Sequence, residues 1–360
     1  MKILVIGAGG REHALCWKLA QSPVAPALYA APGNPGMAAL AQCTPTTDYV
    51  ALADWIQPDL TIVGPEAPLA EGIADRFRER KWPIIGPSAS AARIESSKSF
   101  AKALMAKAGV ATARHVSASN EHDGLAALKQ FGIPVVLKAD GLAAGKGVVI
   151  AHSDAEARGA LATLFQFSSK IVIEEYLEGE EVSFIVLTDG KRVVQLEPAQ
   201  DHKALYDGDK GPNTGGMGAY SDSRILSASE QVQVTESVIH PVLNAMSEVD
   251  CQFNGFMFAG LMMTRDGPKV LEFNCRLGDP EAQVLLHRLS SDLVPLLLAA
   301  ALGELHTSAV EWNPDPSVCV VLAAQGYPVQ TRTGDVITGL NEVSTGVAFH
   351  AGTALKDKTL

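Results

Sequence analysis

The chain has 360 residues, a length that predicts roughly two to three domains with a sizeable buried core. Its residues are 47% apolar and 19% charged, with 32 Gly and 20 Pro, which is an ordinary globular composition and excludes disordered and fibrous classes. The 29 basic and 40 acidic residues leave a net charge of −11, so the chain lacks the basic field that nucleic acids or anionic membranes need as main partners.

The cysteines and the apolar runs indicate a cytoplasmic protein. Five cysteines are scattered without a Cys-x-x-Cys pair, which favours neither a disulfide framework nor a zinc site. The apolar run after Lys2 ends at Gly7 and is too short for a signal peptide, so we interpret it as a first strand. The longest apolar run, residues 293–302, is too short for a membrane span of about 20 residues and predicts a core helix.

The first 94 residues predict a parallel sheet. Short β-branched runs at residues 3–6, 60–63 and 83–85 are each followed by glycine and separated by helical stretches, which is βα repetition. The pattern then changes to a helix at 100–107, a strand at 135–138, and three closely spaced strands at 171–175, 182–187 and 192–198. The short links between these three predict antiparallel pairing. Residues 317–324 predict the start of another β-rich unit.

A glycine turn, residues 7–13, lies between the first strand and a helix. Backbone N–H groups at such a turn can face an anion, and the helix start adds about half a positive charge. Glu12 stands where the dinucleotide fingerprint has its third glycine, so the pattern disfavours NAD. Phosphate binding and a plain βα turn both stay open.

A second glycine-rich segment, residues 135–150, predicts two strands joined by a loop that carries Lys146. Its free amides are suited to a polyphosphate, although it is not a Walker A loop. Lys138 ends an apolar strand, where a lysine needs an anion or must reach solvent. A plain hairpin is the alternative.

Acidic residues from Glu174 to Glu181 fall on a link between two predicted strands. Backbone groups of such a hinge can bond an adenine edge while a carboxylate takes ribose hydroxyls. An acidic hairpin that is simply solvated is the alternative.

Glu272, Asn274 and Arg276 share one face of a predicted strand. Carboxylate and amide oxygens are ligands suited to Mg²⁺, which binds through one or two carboxylates plus substrate phosphates. Asp279 and Pro280 then predict the N-cap and first residue of a helix.

The segment 201–203, Asp-His-Lys, precedes a glycine-rich stretch at 208–220 that predicts a long loop. Loops of that length are usually functional, and its amides together with Lys203 can close on a substrate. A flexible linker is the alternative.

Together these segments resemble the ATP-grasp superfamily, and their order along nearly the whole chain resembles the phosphoribosylamine–glycine ligase family within it. The segments that carry the resemblance are 9–14 (GGREHA), 64–69 (GPEAPL), 138–147 (KADGLAAGKG), 200–203 (QDHK), 211–220 (GPNTGGMGAY) and 278–281 (GDPE). The resemblance implies a monomeric enzyme of purine biosynthesis that ligates glycine to 5-phosphoribosylamine with ATP, through a glycyl phosphate and with Mg²⁺ or Mn²⁺.

The resemblance also implies a multidomain α/β and α+β fold. We expect an N-terminal parallel α/β domain at 1–94 and an ATP-grasp domain at 95–305 with antiparallel sheets and a lid at about 110–178. We expect a C-terminal domain at 306–360 that is β-rich and incomplete, because family members continue well beyond residue 353. We expect an abbreviated lid, because residues 165–169 lack the glycine that members carry there.

The site residues follow from the same resemblance. Expected catalytic residues are Arg276, Lys138 and Lys203. Expected ATP-binding residues are Lys98, Lys138, Gly141, Gly145, Lys146, Gly147, Glu174, Glu175, Leu177 and Glu181. Expected substrate-binding residues are Gly9, Gly10, Arg11, Glu66, Asp201, His202, Lys203, Asn213, Gly215, Gly216 and Arg276. Expected metal ligands are Glu272 and Asn274.

Two other functions stay open. Another ATP-grasp ligase, such as a carboxylase-type relative, would use a different carboxylate or amine, and a substrate panel separates it. A chain that binds ATP without turnover would show ATP binding but no phosphate release.

Overall fold

A computed structural model describes residues 1–142, 147–208, 210–306, 310–357 and 359–360 of the chain. The strands are β1 (Lys2–Gly7), β2 (Ala27–Pro32), β3 (Gln42–Cys43), β4 (Leu60–Val63), β5 (Ile84–Ile85), β6 (His115–Ala118), β7 (Val135–Ala139), β8 (Val148–Ala151), β9 (Ile171–Glu175), β10 (Glu180–Thr188), β11 (Val193–Gln195), β12 (Ala199–Tyr206), β13 (Lys210–Ser221), β14 (Gly255–Thr264), β15 (Gly267–Asn274) and β16 (Ser317–Val320).

The helices are α1 (Gly10–Leu19), α2 (Tyr49–Ile56), α3 (Glu66–Ala70), α4 (Ile73–Glu79), α5 (Ala89–Ser96), α6 (Lys98–Ala108), α7 (Glu121–Phe131), α8 (Asp154–Leu164), α9 (Ala228–Val234), α10 (His240–Ser247), α11 (Glu281–Arg288) and α12 (Leu293–Leu302). A π-helical segment, Thr235–Ile239, joins α9 to α10, and Met37–Ala39 and Leu340–Glu342 form short 3₁₀ turns. None of the described helices is long and apolar enough to cross a membrane.

The N-terminal sheet is parallel, as the βα repetition predicts, with strand order β3-β2-β1-β4-β5. All four apolar residues of β1 from Ile3 to Ile6 are fully buried, as expected of a parallel strand covered on both faces. The predicted strands at 3–6 and 60–63 are confirmed, and the third shortens to β5. The glycine turn follows β1 and Glu66 follows β4, so both lie at the carboxyl ends of neighbouring strands.

Two further sheets follow, both built from antiparallel pairs. A four-stranded sheet has the order β6-β9-β7-β8, with α7 and α8 contributing to its core. A seven-stranded sheet has the order β15-β14-β10-β12-β13-β16, with β11 paired to β10. Helix α12 confirms the predicted core helix, since Leu293, Val294 and Leu297 are buried.

One strand pairing differs from the prediction. β9 and β10 are not neighbours, because β9 already pairs with β6 on one side and β7 on the other. With both edges occupied, β9 has no free backbone groups for β10, which instead pairs with β14 in the larger sheet. The link at residues 176–179 therefore passes from one sheet to the other.

The glycine-rich stretch at 208–220 is also different from the predicted loop. From residue 210 onward it forms β13, which pairs antiparallel along β12, while residue 209 lies outside the described part of the chain. The glycines serve close packing: a Cβ on Gly218 would lie 2.6 Å from the Cys319 carbonyl oxygen of β16, and one on Gly216 would lie 2.5 Å from Pro280 Cδ.

The predicted start of α11 is wrong by one residue. The helix begins at Glu281, with Pro280 at the N-cap position. The Asp279 carboxylate does not cap it; one oxygen accepts from Gln283 Nε2 at 2.7 Å and the other accepts from the Arg11 backbone N–H at 3.3 Å. Asp279 thus connects α11 to the glycine turn of the first sheet.

Candidate active site

The centre of the candidate site is the Glu272 carboxylate on β15. Burial alone would raise the pKa of this carboxyl, but four nearby cations outweigh burial and hold the pKa below its ordinary value. These cations are Lys203, Lys138, Lys98 and Arg276. They come from β12, β7, α6 and the residues just after β15, so distant parts of the chain meet here. Such a cation cluster is suited to a polyphosphate.

Lys138 and Lys98 lie at the base of the loop between β7 and β8. Lys138 Nζ donates to the Leu271 carbonyl of β15 at 2.9 Å, and Lys98 Nζ donates to the Gly141 carbonyl at 3.0 Å. The Gly147 carbonyl accepts from the Ala139 N–H at 2.7 Å and so closes the loop. Of the predicted loop residues, Gly145 and Lys146 lie outside the described residues.

Asn274 lies two residues after Glu272, on the same face of β15. Within the described residues, its Oδ1 accepts one long hydrogen bond of 3.4 Å, from Arg276 Nη2. Within the described ranges no group of three or more His, Cys, Asp or Glu residues is suited to a metal. An ionised carboxylate beside an amide oxygen fits a Mg²⁺-type ion that completes its shell with substrate phosphates and water.

Arg276 is held by two carboxylates. Its Nε lies 3.3 Å from Glu66 Oε2, and its Nη2 lies 3.0 Å from Glu95 Oε1. Burial would lower the pKa of this guanidinium, but Glu95 and Glu66 raise it, so Arg276 stays charged. The sequence predicted Glu66 at the site but missed Glu95, because nothing in the α5 sequence distinguishes this residue from a surface glutamate.

The glycine turn is organised by Glu12. Its carboxylate accepts the Gly9 N–H at 2.5 Å and lies 2.5 Å from Arg11 Nε, and its side chain is almost fully buried. A Cβ on Gly64 would lie only 1.9 Å from Glu12 Oε1. Arg11 Nη1 in turn donates to the Leu277 carbonyl at 3.1 Å, which joins the turn to the segment after β15. Glu12 therefore has a structural role where the dinucleotide fingerprint has glycine.

Lys203 lies in an acidic setting on β12. Its Nζ lies 2.5 Å from Glu181 Oε1 and 3.8 Å from Asp201 Oδ2. Burial opposes its charge, but the carboxylates of Asp201, Glu181 and Glu272 raise its pKa. Burial, together with Glu281, raises the pKa of Asp201 to about 7, against the attraction of Lys203. Burial and its acidic neighbours therefore disfavour the ionised form of Asp201.

The acidic residues predicted for adenine and ribose have side-chain partners within the protein. The Glu174 carboxylate is buried between two lysines, and Glu175 accepts from the Arg114 N–H at 3.0 Å. Leu177 is buried in the link that follows β9. Backbone groups of this link are therefore better placed to contact a base than the two carboxylates are.

Some predicted residues lie in the β12–β13 hairpin and bind groups other than Glu272 and its cations. His202 is exposed and its ring stacks on Tyr220, while Asn213 is exposed and pairs with Ala204 in the ladder. The Gly215 N–H donates to Tyr327 Oη at 3.0 Å. Among the described residues, no hydrogen bond or ion pair joins these positions to Glu272 or its cations.

The chain matches a known protein family over most of its length. Three family models match the chain: the phosphoribosylglycinamide synthetase N domain at residues 1–95, ATP-grasp (A) domain at 96–282 and C domain at 317–360. A phosphoribosylamine–glycine ligase of Pseudomonas aeruginosa is 48% identical over 372 residues, 99% of this chain and 87% of the relative.

Two solved structures have the same fold. The crystal structure of phosphoribosylamine–glycine ligase from Thermotoga maritima aligns with a TM-score of 0.86 at 33% identity, over 100% of this chain and 89% of that chain. A biotin carboxylase from Campylobacter jejuni, solved as a β,γ-ATP complex, aligns with a TM-score of 0.69 at 15% identity, over 92% of this chain and 77% of that chain. At that identity the second likeness concerns the fold alone.

Proposed function

The chain belongs to the phosphoribosylglycinamide synthetase family, and we propose that the cations around Glu272 form the centre at which it uses ATP. It is an ATP-grasp ligase of purine biosynthesis that joins glycine to phosphoribosylamine. The observation that carries the site proposal is that Lys138 donates to the Leu271 carbonyl, next to Glu272, while Lys98 donates to the Gly141 carbonyl at the base of the loop between β7 and β8. The charges of these lysines, of Lys203 and of Arg276 favour the ionised form of Glu272.

The proposed reaction has two steps. A glycine carboxylate oxygen attacks the γ-phosphorus of ATP, the bond from this phosphorus to the β,γ-bridging oxygen breaks, and ADP leaves with glycyl phosphate formed. The amine nitrogen of phosphoribosylamine then attacks the acyl carbon, phosphate leaves with that carboxylate oxygen, and the nitrogen loses a proton. In both steps the protein contributes mainly positioning and charge neutralisation.

ATP lies, in this proposal, between the two antiparallel sheets. Lys98 and Lys138 bind its phosphates, and the loop from Gly141 to Gly147, with Gly145 and Lys146 within it, covers them. The base contacts backbone groups from Glu174 through Glu175 to Leu177, and Glu181 lies at the ribose. Backbone contacts to adenine are favoured over side-chain contacts, because the carboxylates of Glu174 and Glu175 already bind other groups of the protein.

Glu272 and Asn274 are the proposed holders of a divalent ion, Mg²⁺ or Mn²⁺. Their carboxylate and amide oxygens fit such an ion, and Glu272 is kept ionised by its neighbours. When bound, the ion would neutralise phosphate charge and orient the polyphosphate.

The substrate side of the site is proposed around Arg276. A guanidinium can bind the glycine carboxylate or the developing acyl phosphate in two-point fashion. Lys203 is the second cation on this side, with Asp201 beside it. The remaining proposed contacts to phosphoribosylamine and glycine come from Gly9, Gly10, Arg11, Glu66, His202, Asn213, Gly215 and Gly216.

The same proposal divides the chain into a substrate domain at 1–94, an ATP-grasp domain at 95–305 with its lid at about 110–178, and a C-terminal domain from 306. We place the enzyme in a reducing cytoplasm, a proposal supported by its five unpaired cysteines. A monomer is proposed as well, and light scattering during size-exclusion chromatography tests it.

Oxygen-18 transfer tests the proposed intermediate. With glycine labelled in both carboxylate oxygens, a glycyl phosphate mechanism delivers one labelled oxygen to each inorganic phosphate released. Mass spectrometry of that phosphate measures the label. Unlabelled phosphate, with product formed at the normal rate, would contradict carboxylate phosphorylation.

A further inference from the structure

Three charged side chains, Lys102, Glu174 and Lys138, form a buried trio. Glu174 Oε1 lies 3.0 Å from Lys102 Nζ, and Glu174 Oε2 lies 3.1 Å from Lys138 Nζ. The three residues are 3%, 2% and 6% exposed, so no bulk water screens these contacts. The proposed function uses Lys138 but gives no role to Lys102 or to the Glu174 carboxylate.

The trio connects the four-stranded sheet to the strand that carries the proposed metal ligands. Lys138 Nζ donates to the Leu271 carbonyl of β15 at 2.9 Å. Lys102 Nζ donates to Thr112 Oγ1 at 2.8 Å, and this hydroxyl donates to the Val270 carbonyl at 2.6 Å. Both lysines therefore contact Glu174 and are also linked to β15. Lys138 binds Leu271 directly, and Lys102 is linked through the Thr112 hydroxyl to the preceding residue, Val270.

Stability alone is a poor explanation for this arrangement. Replacing a buried ionic cluster by apolar residues of similar volume is often neutral or stabilising, so burying three charges needs another reason. The trio keeps a net positive charge, because one carboxylate faces two ammonium groups. Burial lowers the pKa of Lys102 to about 8, against the attraction of Glu174, so its charge is retained at neutral pH.

We propose that Glu174 and Lys102 are positioning residues that hold the Lys138 ammonium at the base of the loop between β7 and β8. Glu174 fixes the place of this ammonium. Lys102 pairs with the same carboxylate, so Glu174 orients Lys138 without fully neutralising its charge. The Lys138 ammonium therefore stays available for an ATP phosphate. This inference rests on the proposed function, in which Lys138 binds ATP.

The test measures ATP affinity in the full chain by isothermal titration calorimetry with Mg²⁺ and ATP. Lys102→Met and Glu174→Gln should each raise the Kd for ATP on the order of tenfold, the size expected for losing one charge-assisted contact. Steady-state assays should show a raised KM for ATP with the KM for glycine unchanged. Lys107→Met is the matched control, because Lys107 lies on the same helix in an exposed ion pair with Glu248.

A double-mutant cycle separates positioning from a merely structural role. In a Lys138→Met background, Lys102→Met should change the Kd for ATP by less than twofold, because its effect passes through Lys138. An undiminished effect in that background would overturn the inference, as would wild-type ATP affinity in both single variants while Lys138→Met binds weakly. Wild-type affinity in Lys138→Met itself would instead overturn the assignment of Lys138 to ATP.

A milder variant keeps the test decisive if Lys102→Met does not fold. Thr112→Val removes only the hydroxyl that accepts from the Lys102 ammonium and keeps nearly the same volume. It should raise the Kd for ATP severalfold, and Lys102→Arg, which retains the charge, should come closer to wild type. Thr112→Val with an unchanged Kd, in a chain that unfolds at the wild-type temperature, would count against the inference.

Discussion

Glu95 Oε1 lies 3.0 Å from Nη2 of Arg276, although the two residues are 181 positions apart in the chain. The second Glu95 oxygen accepts the Cys275 backbone N–H at 2.8 Å. One carboxylate of α5 thus fixes both the guanidinium and the backbone from which it extends. If Arg276 binds a substrate anion as proposed, its orientation depends on Glu95, which has no other role in the proposed reaction.

Glu95→Gln should therefore impair catalysis more than folding. The variant keeps the shape of the side chain but loses a charge-assisted contact. We therefore expect kcat/KM for glycine to fall by a factor that corresponds to about 1.5–3 kcal/mol of lost transition-state stabilisation. Phosphate release with glycine varied measures this. The matched substitution Glu79→Gln, at an exposed position of α4, should have no effect. Equal values for the two variants would contradict the proposed role of Glu95.

Glu272→Gln tests the metal assignment. The substitution removes the only charged ligand proposed for the ion, and we expect phosphate release to fall at least about 100-fold, since even outer-shell partners of metals are worth 10–100-fold. Asn274→Asp adds a charge and should lower the Mg²⁺ concentration that gives half-maximal rate. Titrating Mg²⁺ against rate for both variants measures this, with exposed Glu248→Gln as control. Wild-type Mg²⁺ curves in both would refute the assignment.

Gly64→Ala tests how closely Glu12 packs at the glycine turn. A Cβ at Gly64 would lie 1.9 Å from Glu12 Oε1 and must displace the carboxylate that binds Gly9 and Arg11. We expect the free energy of unfolding to fall by about 1–3 kcal/mol. Urea unfolding measures the change.

Gly159→Ala is the control for that substitution. Its Cβ would meet no atom within 4 Å, and the residue lies inside α8, so alanine should stabilise the protein by up to about 1 kcal/mol. A neutral Gly64→Ala would show that the Glu12 side chain can move without loss.

The pH dependence of stability should contain a contribution from His13. Burial and, to a smaller extent, His350 lower the pKa of His13 to about 4, whereas an unfolded histidine titrates near 6.5. Between these values the unfolded chain binds more protons, so this contribution to stability is lost as the pH falls from 6.5 toward 4. The backbone N–H of His350 donates to His13 Nδ1 at 2.8 Å. Protonation of His13 at Nδ1 would remove this acceptor.

Thermal unfolding of wild type and His13→Gln at neutral and mildly acidic pH measures this contribution. The unfolding temperature of wild type should drop further on acidification than that of His13→Gln, whose side chain does not titrate. The exposed His122→Gln should behave as wild type. A parallel drop in all three proteins would show that His13 does not contribute.

The sequence predicted the parts of the fold that are local in the chain. β1, β4, β7 and β9 were predicted because each is a short apolar or β-branched run, and their extents follow from neighbouring residues. The partners of each strand were harder to predict. β9 was expected beside β10 but pairs with β6 and β7, a choice that depends on which edges are free after the other strands have assembled.

The candidate site shows the same division. Lys138 and Glu272 were predicted because each is a charged residue within a predicted strand that also carries apolar residues. That exception is visible from the neighbouring residues alone. Lys102 and Glu95 were missed because α6 and α5 carry them in ordinary amphipathic patterns, and their partners lie far along the chain. The glycines of β13 predict a loop, because sequence composition does not distinguish flexibility from close strand packing.

The measurement that tests the central claim most directly is ADP release by the 360-residue chain with ATP, Mg²⁺, glycine and freshly prepared phosphoribosylamine, each omitted in turn. The account predicts turnover that requires all three substrates and yields one phosphate per glycinamide ribonucleotide. ATP binding without turnover under the complete conditions, or turnover that does not depend on glycine and phosphoribosylamine, would contradict it.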